Sequence, residues 1–200
     1  LIESLAGLEF TRVPTKSWLE TVELSEKKEV DVLTETIDAD RGNLIFTKPF
    51  LVNNLIIIMR DDENFVEDLN DIKDKKIAII KDYGYVPKIK AQYPDINFIE
   101  VADIQTGIAN ISTGKIDAMI TTLAYASYSI NEMGATNVRI VGKTPLVTKI
   151  GLGVRKDYAP LVSILNKAIE TITEPEKLEI YDHWVKSKNI QSIDYSLLWK

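Results

Sequence analysis

One feature constrains this chain more than any other. Short runs of β-branched and aliphatic residues alternate with amphipathic stretches that carry helix start and stop signals. Leu8–Val13, Val30–Thr34, Leu55–Arg60, Lys76–Ile80, Asn97–Val101, Asp117–Thr121, Val138–Val141 and Thr148–Val154 read as strands. Ser17 with Glu20, and Thr173 with Glu176, have the spacing of capping boxes, Pro175 adding to the second. Glycines 7, 114 and 134 stand where helices should stop. Strands alternating with helices imply an α/β fold with largely parallel sheets.

Composition then removes whole classes of function. The formal net charge is −6 and the pI about 5.0, so the chain lacks the basic face that nucleic acid or anionic lipid requires. With no cysteine, disulfides, zinc–thiolate sites and cysteine nucleophiles are excluded. The longest unbroken apolar run, Leu55 to Met59, is far below the ~20 residues of a membrane span. No secretory signal opens the sequence, so if the domain lies outside the cytoplasm its export or anchoring segment is expected outside these residues. A metal site or a Ser/His/Asp triad would have to pass through His183, the only histidine. It stands in a Tyr-Asp-His-Trp run of a late helix without ligand-spaced carboxylates, and reads as a surface or packing residue. Gly142-Lys143-Thr144 resembles the end of a phosphate loop, but Asn137 stands where that motif needs glycine. Asn110-Ile111-Ser112 is a glycosylation acceptor by letter only. Asp61-Asp62-Glu63 lacks the spacing and glycine of a calcium loop and reads as a solvated turn. No catalytic constellation emerges, and neither enzyme activity nor a metal or cofactor is expected.

Two polar breaks suggest two lobes. Asp61-Asp62-Glu63-Asn64 interrupts the pattern after the Leu55–Arg60 strand, and Gly142-Lys143-Thr144-Pro145 precedes the Thr148–Val154 strand. A chain that leaves one lobe and returns needs two such crossings. The expected division is residues 1–60 with 146–200 in one lobe and 61–145 in the other.

The run Val30-Asp31-Val32-Leu33-Thr34-Glu35-Thr36, then Arg41, then Phe46-Thr47-Lys48-Pro49-Phe50 and later Gly114-Lys115-Ile116-Asp117-Ala118 resembles the bacterial family 3 solute-binding proteins. So do Leu165-Asn166-Lys167-Ala168-Ile169 and the Ile180-Tyr181 … Trp184 ending. The tail from Ile193 to Lys200 adds a likeness to the Venus-flytrap sensor domains of membrane-bound histidine kinases and diguanylate cyclases. The resemblance covers nearly the whole chain. It implies the type II periplasmic-binding-protein fold, with two α/β lobes joined by two crossing segments. It also implies about fifty residues, a strand, a helix and an aromatic-containing loop, ahead of Leu1, so the first lobe is expected to lack its N-terminal portion here.

The resemblance also assigns pocket residues. Arg41 takes the place of the arginine that clamps a ligand carboxylate, a role suited to a planar, permanently charged guanidinium. Its interval to Phe46 is one residue shorter than the family's. Thr34 and Thr36 match positions that line the pocket. Trp18 falls where the family has an aromatic wall, or else packs beside its helix cap. From the second lobe the family uses the loop before a helix, here Lys81-Asp82-Tyr83-Gly84-Tyr85, so Lys81, Tyr83, Gly84 and Tyr85 are expected to approach the ligand. The two tyrosines replace small residues and should narrow the cleft or add stacking. Thr121 and Thr122 follow Asp117-Ala118-Met119-Ile120; amino-acid carriers usually have an aspartate at the position of Thr122. Asp82 could substitute from the neighbouring loop, while Asp117 reads as structural.

The expected function is an extracytoplasmic, periplasmic-side sensor for a small carboxylate-bearing ligand, an amino acid or a relative of one. It would close on that ligand and signal to a membrane-bound kinase or cyclase. The parent is expected to be membrane-anchored and could be dimeric. Three rivals stay open: a carrier for an ABC importer of polar amino acids, an enzyme on the same scaffold, and a degenerate flytrap without ligand that serves as an interaction module.

Overall fold

The computed structural model describes residues 1–37, 39 and 41–185. The chain divides into two compact units, Leu1–Val52 with Thr148–Lys177, and Asn53–Val147 with Leu178–Lys200. The chain passes from one unit to the other three times, within strands β3 (Leu51–Arg60) and β7 (Val138–Arg155) and again between Lys177 and Leu178. The polar stretch Asp61–Asn64 lies inside the second unit.

In the first unit, α1 (Ile2–Ala6), α2 (Trp18–Glu26) and α6 (Ala159–Thr171) accompany β1 (Val32–Thr36), β2 (Leu44–Phe46) and the end of β7. The last residues of β7 have antiparallel partners in both short strands: Val32 to Thr36 of β1 face Val154 to Ile150, and Leu44 to Phe46 of β2 face Arg155 to Gly153. Helix α2 starts as its sequence requires, Ser17 Oγ accepting from the Glu20 amide at 3.2 Å. The Glu20 carboxylate reaches the Lys16 amide rather than that of Ser17, so the box is displaced by one residue. A small core of Leu152, Val154 and Leu165 is joined by Ile2, Ala6, Leu8, Val32 and Phe50. Polar ties complete this unit. Lys48 donates its amide to Asn166 at 2.6 Å and pairs its ammonium with Glu170. Arg155 grips Asp157 with two hydrogen bonds, Nε to Oδ1 at 3.0 Å and Nη2 to Oδ2 at 2.8 Å, and reaches Asp31 at 2.9 Å. The Tyr158 ring lies 5.3 Å beneath its guanidinium.

Leu8–Val13, expected as a strand, is not one. The Leu8 amide bonds Glu3 O after Gly7 turns left-handed at φ 64°, and the Phe10 amide bonds the Glu3 carboxylate at 2.7 Å. These donors close α1, and the segment has no ladder partner among the described residues.

The second unit is a conventional open α/β layer. Its strands run in the order β3, β6 (Ala118–Thr122), β4 (Ile77–Ile80), β5 (Ile99–Val101). β3 and β6 are antiparallel, whereas β4 is parallel to both β6 and β5. The apolar run of the sequence is its central strand: Leu55 to Met59 are at most 2 % exposed. Alternation sends Leu55, Ile57 and Met59 into the layer containing Ile89 of α3 (Val86–Gln92). Ile56 and Ile58 join Ile104, Ile108 and Ile111 of α4 (Ile104–Ser112) and Ala126 of α5 (Leu123–Glu132). A strand covered on both faces needs an unbroken hydrophobic run, which is what the sequence has. Gly142 marks a close approach, since a Cβ there would stand 2.1 Å from the carbonyl oxygen of Val66, its bridge partner. Glycines 114 and 134 end α4 and α5 at φ 71° and 60°. α7 (Glu174–Val185) begins in the first unit, on a complete box, the Thr173 amide donating to Glu176 at 2.8 Å and the Glu176 amide returning to Thr173 Oγ1 at 3.4 Å, and passes into the second unit after Lys177. The side chain of His183 and the tail from Ile193 to Lys200 lie outside the described residues.

Candidate functional site

In the second unit β4, β5 and β6 run side by side, and each leads at its carboxyl end into a helix. In α/β sheets ligands collect there, where strand ends meet helix N-termini. The Lys81–Tyr85 loop joins β4 to α3, Ala102 and Asp103 join β5 to α4, and Thr122 joins β6 to α5.

The first loop is fastened at both ends. Lys81 donates its amide to Val101 O at 2.9 Å, while its side chain is exposed. Tyr85 is buried at 6 % exposure, its hydroxyl donating to Ile120 O at 2.9 Å across to β6. Tyr83 is half-buried between two rings: Tyr85 meets it edge-on at 5.8 Å between centroids, and Tyr125 of α5 lies parallel at 6.5 Å. Burial pushes the Tyr83 hydroxyl well above the ordinary phenol range, and the neighbouring Tyr125 pushes it further. Burial is the main cause of the same rise at Tyr85, with Tyr125 adding to it. Both are therefore neutral donors at any physiological pH. Between these anchors Asp82 takes a left-handed backbone with φ 60°, and the half-buried Gly84 gives the loop its small residue.

The other expected residues of this unit sit at the α5 start. Thr121 is 1 % exposed and its hydroxyl finds no partner among the described residues. Thr122 is the N-cap of α5, half-buried, with no side-chain capping bond. No acid stands in the first turn of α5. Thus Tyr83, Gly84, Tyr85, Thr121 and Thr122 belong to one end of the unit, with Tyr85 supporting the loop from behind. Tyr125 joins them and was missed in the sequence; its only signal was an aromatic residue in the first turn after a strand end.

In the first unit, Trp18 opens α2 and is half-buried. Thr34 of β1 is exposed opposite Leu152, and the Thr36 backbone faces Ile150. Arg41 is half-buried in a turn in which its amide donates to Ala39 O at 3.1 Å and its carbonyl accepts from Leu44 at 3.0 Å. A cavity of about 410 Å³ in the second unit lies elsewhere, where α4 and α5 end, against Ile108, Ser112, Met133 and Asn137. Its Ser112 and Asn137 bond each other and leave little to recognise a ligand. No group of three potential metal ligands occurs among the described residues. No helix among them is long and apolar enough to cross a membrane.

The mixed α/β fold with its open sheet matches solved structures of the type II periplasmic-binding-protein kind, and that is the fold class of this domain. The comparisons with known proteins are more particular. The chain is homologous to the virulence sensor protein BvgS of Bordetella pertussis, 24 % identical over 187 residues, which is 92 % of this chain. It spans about 15 % of the length of that sensor. The glutamate-binding protein GluB of Corynebacterium efficiens is 25 % identical over 171 residues, 78 % of this chain and 58 % of GluB. The crystal structure of the BvgS periplasmic VFT2 domain superposes with a TM-score of 0.80 at 24 % identity, covering 92 % of this chain and 79 % of that one. No family model matches the chain. Such homology supports a sensor or solute-binding domain, since its homologues are of these kinds.

Proposed function

We propose that this chain is the periplasmic sensing domain of a membrane-anchored signalling protein and that it binds a small carboxylate-bearing ligand, an amino acid or a close relative. The observation that carries the reading is likeness to a sensor protein along 92 % of the chain, combined with the ring-lined loop at the strand ends of the second unit. Arg41 is the proposed partner of the carboxylate, with Trp18, Thr34 and Thr36 beside it. Lys81, Tyr83, Gly84, Thr121 and Thr122 are the proposed contacts of the second unit, backed by Tyr85. Output through a kinase or cyclase is part of the proposal, supported by the likeness to BvgS, a virulence sensor protein. The likeness to GluB favours a second reading, a carrier protein for an importer.

A thermal-shift screen against amino acids and small carboxylates tests the proposal. A ligand at one hundred times its dissociation constant adds about 2.7 kcal/mol. The expected result is a hit that Arg41→Ala abolishes, because removing one partner of a buried charged pair costs ~2–5 kcal/mol. A hit that survives the substitution keeps the binding domain and removes Arg41 from the site. No hit from folded protein argues for a ligand-free module.

A further inference from the structure

We draw no further inference here: the strongest candidate, the outer edge of β1 where Thr34 is exposed at the end of the strand order, carries none because nothing in the structure shows what covers it.

Discussion

The two units solve the same problem with different means. The second buries a central strand on both faces, and its two apolar layers share residues from β3, β4, β6 and three helices. The first has a smaller core, in which Val22, Leu33, Leu44, Leu152, Val154, Leu165, Ala168 and Ile169 are buried, and adds polar ties through Lys48, Thr47 and Arg155. Buried apolar area is the dominant favourable term in folding, whereas exposed ion pairs contribute little each. The second unit is accordingly the stable platform. The first is the unit whose local unfolding should cost least.

The sharpest way to break that contrast is to hollow the platform. Ile57→Ala removes a fully buried side chain from the middle of β3 and should cost about 2–5 kcal/mol in a denaturant titration. Hydrogen exchange should then show protection lost through residues 53–147. If the protection lost lies instead mainly in the first unit, the platform is misassigned.

Gly142→Ala should cost somewhat less, about 1–3 kcal/mol, because the new methyl meets the Val66 carbonyl at 2.1 Å and backbone has to move. A neutral result in a thermal melt would mean that the Val66 bridge is loose. Tyr85→Phe comes next. It leaves the Ile120 carbonyl without the phenol and should cost about 1–2 kcal/mol, and binding at the neighbouring loop should weaken with it.

These positions also show what was readable from residues alone. Leu55–Arg60 was legible as a strand, though its burial on both faces was not drawn from the unbroken apolar run, and Gly114, Gly134 and the Thr173 box marked real helix ends, because each rests on local geometry that few residue types satisfy. The single strand β7 was read as two. Gly142-Lys143-Thr144-Pro145 does disturb the ladder locally, since proline has no amide and the Leu146 amide turns to Thr144 Oγ1 at 3.2 Å, yet the strand continues. Leu8–Val13 has a strand's composition but its amides are used by α1, and pairing is decided by neighbours that composition does not name. Tyr125 escaped notice for the same reason. A ring in a helix's first turn acquires meaning only when Tyr83 is folded against it.

The smallest expected effect lies in the first unit and separates its polar ties from its core. Asp157 is held well below the usual carboxylate range, first by the hydrogen bonds from Arg155, with Lys28 adding to them. A carboxyl whose pKa is lower folded than unfolded stabilises the fold fully at pH values above the unfolded value of about 3.9. That contribution is lost as pH falls from there toward the folded value. Thermal melts from pH 7 down to pH 2 should therefore show an acid leg in the first unit's transition. Arg155→Gln should flatten that leg and leave the neutral-pH melt of the second unit in place. If Arg155→Gln lowers both transitions together, the two units unfold as one cooperative block, and the division into a stable platform and a weaker unit fails.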